Sequence, residues 1–595
     1  MTARIGNPHV LREYALLADG YRGALIGPRG EISWMCAPRW DSDAVFSALI
    51  GGTGAFAITP RGRFVWGGHY EDGSLIWRSR WVTTDGITEC REALAYPGDP
   101  HRAVLMRRLV AVRGDACATV TFAPGAGFGR HGMDDLVRDD HGRWHASCGP
   151  LRITVHGIAH AEVTDGSVGV TALRCDLKLA QGRHHNVVVE LSDRPGAAPL
   201  PHPDALWNDT ENAWGAALPA FTASAAPRDA RHSYAVLRGL TTPGGGMVAA
   251  ATMSLPERAA QRRNYDYRYV WIRDQCYAGE AVALDGPHPV LDDAVGFVAA
   301  RLLADGPDLR PAYRVDGTAV PDESSLRLPG YPGGTDVLGN HAHSQFQLDV
   351  FGEALLLLAA AARHDRLDGD SRRAAAIAAS AIAQRWRQPD AGVWELETRN
   401  WAHSRLTCVA GLRAFATHAE QKDASRYQTL ADTILASSTD CVHPSGRWQR
   451  APDDPRVDAA LLVPALRGAL PPDDPRSVAT LRAVLDKLED DGFVYRFRHD
   501  DRPLAEAEGA FLLCGFWTAL ACLQRGDVVG ATRHFERNRA ACGPPGLFGE
   551  EYDVEQRQLR GNIPQAFVHA LLIESSLRLA HPPQLSKNSI GKEAS

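Results

Sequence analysis

The sequence predicts a two-part chain: a β-rich N-terminal domain of the sandwich type, followed by a larger helical domain. Three observations predict it. Short β-branched runs bounded by Gly, Pro or Asp fill roughly the first 200 residues. Long Ala/Leu-rich patterns of helical period take over after about residue 230. With 595 residues, the chain is long enough for two or more domains and a large buried core.

In the first part, Ala118–Phe122, Arg152–Val155 and Asn186–Glu190 read as strands, and the recurring turn residues give the spacing of a sandwich. A Pro-rich run from Arg194 to Pro203 breaks the pattern, and the first domain is assigned residues 1–225. The second, 226–580, carries helical runs at Val350–His364, Ser371–Trp386, Ser404–Gln421, Ser477–Glu489, Gly509–Arg525 and Pro564–Leu579. About a dozen candidate helices fall between Arg231 and Ala580, and long antiparallel helices in even number suggest a helical barrel. The polar, Pro-containing stretch 581–595 reads as a flexible tail.

Composition narrows the function classes. Hydrophobic residues at 45% and charged residues at 23% are ordinary for a soluble globular protein. A net charge of −7 supplies no basic field for nucleic acid or acidic lipid. No run of 18 uninterrupted apolar residues suggests a membrane span. Met1–Gly20 carries Arg4, Arg12, Glu13 and Asp19 and has no apolar signal core. The eleven cysteines are odd in number and scattered, without a C-x-x-C pair, which reads as reduced thiols of a cytoplasmic protein.

Three segments of the helical part pack polar groups among aromatics. The first is Asn264-Tyr265-Asp266-Tyr267-Arg268-Tyr269-Val270-Trp271-Ile272-Arg273-Asp274. Its Arg273 and Asp274 offer a planar donor fork beside a carboxylate acceptor, suited to paired sugar hydroxyls. On composition alone, a structural Arg–Asp ion pair is the stronger reading. The second is Gly392-Val393-Trp394-Glu395-Leu396-Glu397, between a helix ending near Trp386 and one starting near His403. A carboxyl beside an indole at a barrel mouth is where desolvation could retain a proton for a general acid, although an exposed loop glutamate is commoner. The third is Gly546-Leu547-Phe548-Gly549-Glu550-Glu551-Tyr552-Asp553, followed by Gly561-Asn562-Ile563-Pro564-Gln565-Ala566-Phe567. Alone it is a solvated acidic turn; paired with the second it supplies the donor and base that glycoside hydrolysis requires.

Other signals are rejected. Pro124-Gly125-Ala126-Gly127-Phe128-Gly129 misses the G-x-G-x-x-G spacing, since Arg130 stands at the third position, and no G-K-[ST] follows. His184-His185 and His341 with His343 lack the further ligands of a metal set. No G-x-S-x-G nucleophile elbow is present.

The Asn264–Asp274 run resembles the N-[WY]-D-Y-R-Y-x-W-x-R-D signature of glycoside hydrolase family 15, which includes glucoamylases, glucodextranases and bacterial or archaeal trehalases. Ala24-Leu25-Ile26, Gly30-Glu31-Ile32-Ser33-Trp34 and Pro38-Arg39-Trp40-Asp41-Ser42 are similar to the start of the family's bacterial β-domain. Gly339-Asn340 with Gln345-Phe346-Gln347-Leu348-Asp349 resembles its G-N-x-x-x-x-Q-x-Q-L-D element. Glu508-Gly509-Ala510-Phe511-Leu512-Leu513-Cys514 and Gly561-Asn562-Ile563-Pro564-Gln565-Ala566 resemble two later elements, in the same order.

The resemblance implies a β-supersandwich followed by an (α/α)6 barrel with the site at the barrel mouth. It implies Glu395 as general acid and Glu550 as general base, with Glu551 as the alternative base beside it. Arg273 and Asp274 would hold the non-reducing terminal sugar, Tyr267 and Trp271 would line its pocket, and Trp394 and Glu508 are added as sugar contacts. The implied reaction is inverting, exo-acting release of glucose from an α-glucoside of the glucoamylase, α-glucosidase or α,α-trehalase type, without metal or organic cofactor. The partner is a small-molecule or oligosaccharide substrate, with no nucleic acid or membrane, and self-association is left open. One departure stands out: trehalase-like members read F-T-H-S-K-x-M-x-W where this chain has Trp401-Ala402-His403-Ser404-Arg405-Leu406-Thr407-Cys408. Arg405 is therefore expected near the leaving-group side, which leaves the linkage open. A carbohydrate phosphorylase, a polysaccharide lyase and a non-catalytic carbohydrate-binding protein are the competing classes. The intact glutamate pair weighs against each.

Overall fold

The computed structural model describes residues 8–165, 170–196, 198–259, 261, 263–500 and 502–582. Alternating burial marks the N-terminal strands: Trp77–Thr83 and Leu151–His156 each turn every second side chain inward. They build two eight-stranded antiparallel sheets. One runs Ala15–Ala18, Gly23–Ile26, Glu31–Cys36, Ala55–Pro60, Ala116–Ala123, Thr171–Leu179, Glu162–Asp165, with Ala44–Phe46 paired onto Glu31–Cys36. The other runs Asp134–Arg138, Trp144–Cys148, Leu151–His156, His184–Ser192, Arg102–Arg113, Ile87–Leu94, Trp77–Thr83, Phe64–Tyr70.

The sheets face each other across a core in which Ile26, Phe56, Val120 and Phe122 meet Trp81, Leu105, Val187 and Val189. Within it the buried Arg107–Glu92 pair ties sheet to sheet, because Arg107 also donates to Phe56 O (3.2 Å) and Gly30 O (2.7 Å). Those extra bonds offset the cost of taking the ions out of water.

The connecting helix Pro203–Ala217 lies on the sandwich. Trp214 stacks on Tyr96 with centroids 4.0 Å apart, and the Arg91 guanidinium covers Trp207 at 4.4 Å. The sequence division at 225 leaves this helix with the first domain.

Beyond it, helices alternate between two rings. The inner ring is Ile272–Ala283, Asp349–Ala362, Ala402–Ala416, the short pair Ala459–Leu462 and Val463–Leu466, Leu512–Gln524 and Ala566–Ala580. The outer ring is Pro227–Leu240, Pro289–Asp305, Gly369–Arg385, Gln421–Ser437, Pro475–Lys487 and Val528–Arg539. Burial explains which is which. Asp349–Ala362 is buried on every face, whereas Gln421–Ser437 buries only Tyr427, Ala431 and Ile434, one stripe at helical spacing. Three outer helices open on Pro, whose missing N–H costs nothing at the first turn. Neighbouring inner helices touch all the way round, and Ala566–Ala580 closes the ring against Ile272–Ala283. Where Asp349–Ala362 meets Ala402–Ala416, glycines permit backbone contact: a Cβ on Gly352 would lie 2.6 Å from Thr407 O.

The fold is a β-sandwich followed by a six-hairpin helical barrel. The run read as Ser404–Gln421 overshoots its helix: Ala402–Ala416 ends earlier, and after a short turn Gln421–Ser437 begins where the run was read to stop. All eleven cysteines are free, eight of them buried. Of the tail, only His581 and Pro582 are described; 583–595 lie outside the described residues.

Candidate active site

A pocket enclosing about 990 Å³ of space continuous with solvent opens where the inner helices begin. Trp271, Arg273 and Asp274 reach it from the start of Ile272–Ala283, Phe511 and Leu513 from the start of Leu512–Gln524, and Gln565 and Phe567 from the start of Ala566–Ala580. Loops supply Glu257, Arg263, Tyr265, Tyr267, Trp394, Glu395, Arg496 and Glu550.

The Asn264–Asp274 segment is held extended by backbone bonds from Ser254 N to Tyr265 O, Ala250 N to Tyr267 O and Ala249 N to Tyr269 O. Alternation then divides its side chains. Tyr265, Tyr267 and Trp271 line the pocket, while Asp266 and Arg268 point the other way and form a fully buried ion pair (2.7 Å). Arg268 also donates to Ser42 O (2.7 Å) and Cys36 Sγ (3.3 Å), which fastens the segment to the sandwich. Trp34 Nε1 adds a bond to Ala251 O (2.8 Å). Helix geometry takes over at Ile272 and brings Arg273 and Asp274 into the first turn.

Arg273 and Asp274 do not pair with each other. Arg273 donates to Gln347 Oε1 (3.0 Å) and lies 3.5 Å from Asp349 and 3.6 Å from Glu395. Asp274 Oδ1 has no partner although it is buried. Burial, against the pull of Arg273, pushes the Asp274 carboxyl up to about 7. An orphaned acceptor in a pocket wall is a group waiting for a hydroxyl donor.

Glu395 sits in a loop fixed from several sides. Asp390 Oδ1 accepts from Gly392 N (2.7 Å) and Ser404 Oγ (2.9 Å), and Leu396 N bonds Ala391 O (2.9 Å). The turn forces Glu395 itself to φ +56°, a left-handed conformation that costs a non-glycine residue about 1–2 kcal/mol. Its Oε1 accepts from Trp271 Nε1 (2.7 Å) and Gln347 Nε2 (3.2 Å). The side chain stays 21% exposed, open to the pocket.

Glu550 precedes the strand Glu551–Asp553, and Leu512 N bonds its carbonyl (3.1 Å). Its Oε1 accepts from Tyr267 OH (3.4 Å), and its Oε2 is buried without a partner. Gly561 lies against it; a Cβ there would come within 3.4 Å of Glu550 Cβ. Burial and the Glu257 carboxylate push Glu550 well above the usual carboxylate range, opposed by Arg496 and the Tyr267 hydroxyl.

The structure thus brings Tyr267, Trp271, Arg273, Asp274, Trp394, Glu395 and Glu550 to one pocket. Trp394 donates its indole N–H to Asp458 (2.9 Å), so it offers the pocket a ring face rather than a donor. Three expectations are corrected. Glu551 faces away from the pocket because side chains alternate along its strand; it accepts from Gly509 N (2.7 Å) instead. Glu508 lies fully buried behind the wall, binding Arg496 (2.7 Å) and Arg263 (2.7 Å), and reaches the pocket only through those two cations. Arg405 is no neighbour of the pocket: it is buried in the barrel wall against Asp440 (2.8 Å) and Cys441.

Sequence reasoning missed Glu257, Arg263, Arg496 and His341. It quoted Gln347 and Asp349 within a motif without giving them a role. Of the missed residues only Arg496 carries a local signal, a charge between the aromatics Tyr495 and Phe497; Glu257, Arg263 and His341 have no aromatic neighbour in the chain. Among the described residues no helix is long and apolar enough to cross a membrane, and no cluster of three or more His, Cys, Asp or Glu could hold a metal ion.

Comparison with known proteins gives concordant matches. A sequence profile described as Glycosyl hydrolases family 15 matches residues 231–577, and one described as Trehalase-like, N-terminal matches residues 6–200. The chain is 30% identical to a trehalase of Mycobacterium tuberculosis, over 97% of this chain and 91% of that one. It is 26% identical to an isomaltose glucohydrolase of Kribbella flavida, over 58% of this chain and 83% of the other. A bacterial glucoamylase crystallised with acarbose superposes with a TM-score of 0.70 at 16% identity, covering 98% of this chain and 97% of that one.

Proposed function

The chain belongs to glycosyl hydrolase family 15 and is a glycoside hydrolase; from that premise we propose that it is inverting and exo-acting, and releases glucose from the non-reducing end of a small α-glucoside, α,α-trehalose before all. One observation carries the mechanism. Two carboxyls line the same pocket, each gripped by one residue of a single segment: Glu395 by Trp271 and Glu550 by Tyr267, with the two rings 5.5 Å apart.

In this reading Glu395 Oε1 is occupied by its two donors, which leaves Oε2 to carry the proton toward the glycosidic oxygen. Glu550 Oε2, with no partner, accepts a proton from water as that water attacks the anomeric carbon. The carboxyls of inverting glycosidases stand roughly 6.5–9.5 Å apart to admit this water. Arg273 and the orphaned Asp274 Oδ1 take the hydroxyls of the terminal sugar, and Trp394 covers a sugar face. The base must be ionised to act, and burial raises Glu550. The acid limb of kcat/KM is therefore expected above the ordinary carboxylate range.

The named relatives and the trehalase-like N-terminal profile put trehalose first; maltose, isomaltose and longer glucans follow. Proton NMR of the purified protein with each sugar tests the proposal. Inverting cleavage of trehalose gives one β- and one α-glucose in equal initial amounts, and of maltose, β-glucose from the non-reducing ring. Initial formation of α-glucose alone overturns inversion. Release of internal fragments from long glucans overturns exo action.

A further inference from the structure

The rim of the pocket holds one polar side chain that bond cleavage leaves unused. Among the described residues that line the pocket, His341 alone is exposed, with 51% of its side chain in solvent, so it stands at the mouth rather than at the floor. Its Nδ1 lies 2.6 Å from Glu323 Oε1, and its backbone N donates to the same oxygen (3.3 Å). A carboxylate oxygen can only accept, so Nδ1 carries a proton and Nε2 is the ring atom left for a ligand. His341 also stands on the side of the acid. The short turn His341–Ser344 places Ala342 in the small apolar cluster of Tyr269 and Trp271, and Trp271 donates to Glu395. Further along, Gln345 Oε1 accepts from Gln347 Nε2 (3.1 Å), which donates to Glu395 as well. The leaving oxygen takes its proton from Glu395, so the sugar attached to that oxygen lies toward this wall and, as the outer ring, toward the rim.

The loop 314–340 leads into this turn, and its two arms are bonded to each other. Ser324 and Leu338 exchange backbone bonds (2.8 and 2.9 Å), and Asn340 N donates to Pro321 O (3.1 Å), which sets Glu323 opposite His341. The arms come so close at Gly339 (φ +86°) that a Cβ there would collide with Asp322 O. The returning arm is fastened to the barrel, since Val337 N donates to Ser254 Oγ (2.7 Å) and Gly339 N to Asp266 Oδ2 (3.1 Å). The tip reaches the N-terminal domain instead. There Gly330 N donates to Ile50 O (3.0 Å), Tyr331 OH to His9 O (2.7 Å), and Pro329 covers Gly51.

Resting on the assignment of Glu395 as acid, we propose that His341, aimed by Glu323, binds a hydroxyl of the leaving sugar through Nε2, and that the N-terminal domain, by anchoring the tip of the same loop, sets how tightly that sugar is held. An imidazole nitrogen suits a neutral hydroxyl, which can either give or take the bond. His343, the other histidine of the turn, has its Nε2 occupied by Asp322 (2.9 Å). Glu323 and Tyr331 are then positioning residues, one for the ring and one for the loop.

The test compares trehalose, or whichever disaccharide the NMR assay selects, with α-D-glucosyl fluoride, which keeps the terminal glucose and has no leaving sugar. His341→Ala is expected to lower kcat/KM for the disaccharide by roughly tenfold, mostly through KM, and to leave the fluoride within about twofold of the parent. His341→Gln returns an amide near the place of Nε2 and should recover part of the loss. Glu323→Ala should show the same split at smaller size, and Glu323→Gln, which still accepts from Nδ1, should recover it. Tyr331→Phe frees the loop tip from His9 and should raise KM for the disaccharide alone. Equal losses on both substrates in His341→Ala overturn the proposal, because the ring then serves the terminal glucose or the fold. Parental activity on both overturns it as well, and an equal change on both in Tyr331→Phe overturns the part given to the N-terminal domain. Failure of the acid assignment looks different. Fluoride leaves without a proton, so Glu395→Gln should spare it far more than the disaccharide; equal losses there would remove Glu395 as acid.

Discussion

Replacing Arg268 by Met should destabilise the protein by about 3–5 kcal/mol, the usual cost of breaking a buried ion pair by removing one partner. Arg268 and Asp266 are both fully buried. The guanidinium donates to Asp266 Oδ1 (2.9 Å) and Oδ2 (2.7 Å), to Ser42 O (2.7 Å) and to Cys36 Sγ (3.3 Å). Met fills much of the volume but strands the Asp266 charge and the Ser42 carbonyl. Asp266 retains two backbone donors, Arg268 N (3.2 Å) and Gly339 N (3.1 Å), so the loss should lie nearer the lower figure. Ser42 belongs to the sandwich, and Tyr267 and Trp271, on either side of Arg268, hold the base and the acid. Weakening this joint should therefore lower kcat/KM along with stability. The assay is urea unfolding followed by tryptophan fluorescence, reading the first transition, with kinetics on the same preparations. Adding Asp266→Asn to Arg268→Met should recover part of the loss, since no unpaired charge remains. A single variant within about 1 kcal/mol of the parent would refute the reasoning.

Glu395→Gln and Glu550→Gln should each lower kcat by about a hundredfold or more with unchanged unfolding curves, as expected for loss of a general acid or base; near-parental turnover in either removes its role. Asp274, raised by burial from its ordinary 3.8 to about 7, keeps in the folded state a proton that the unfolded chain gives up. The stability this contributes is whole below about pH 4 and lost as pH rises through about 7, so Asp274→Asn should flatten the decline in urea midpoint over that window. Asp458→Ala removes the acceptor of Trp394 Nε1 (2.9 Å), Arg450 Nε (3.0 Å) and Ala460 N (2.9 Å). It should loosen the loop that carries Glu395, lowering kcat by roughly tenfold; a change confined to KM would show that the loop stays in place.

The barrel was legible where its helices are Ala/Leu-rich runs: Asp349–Ala362, Gly369–Arg385, Pro475–Lys487, Leu512–Gln524 and Ala566–Ala580 begin and end within a few residues of the sequence reading, whereas the inner Ile272–Ala283 was not singled out. The run read as Ser404–Gln421 shows the limit, because it overshoots the end of Ala402–Ala416. Thr417-His418-Ala419-Glu420 contains neither Gly nor Pro, so nothing in the pattern announces that Ala402–Ala416 has ended. In the site, residues inside ordered motifs were found, but a motif does not say which way a side chain faces. Glu551 follows Glu550 in the chain and turns its back on the pocket. Glu508 opens a motif and sits behind the wall. Glu257 and Arg496 belong to distant segments that only the closed barrel brings together, and no local pattern announces such a meeting.

The sequence led us to expect desolvation at the acid, yet the structure buries the base and leaves Glu395 partly open to the pocket. The inversion is consistent with the roles once the sugar is added. Glu550 must be charged while dry, and the neighbouring guanidinium of Arg496 is what makes that tolerable. Glu395 must be neutral to act, and a sugar filling the pocket expels the water around it, which favours the uncharged form. The two limbs of the pH profile should then respond differently to binding. The kcat/KM profile reports free protein and the kcat profile the complex. The alkaline limb, set by the acid, should move to higher pH in kcat, while the acid limb, set by a base already buried, should stay nearly fixed. Measuring both profiles on the substrate that the NMR assay selects decides the matter. If the alkaline limbs coincide and the acid limbs separate, substrate desolvates the base instead, and the two glutamates have been given each other's burden.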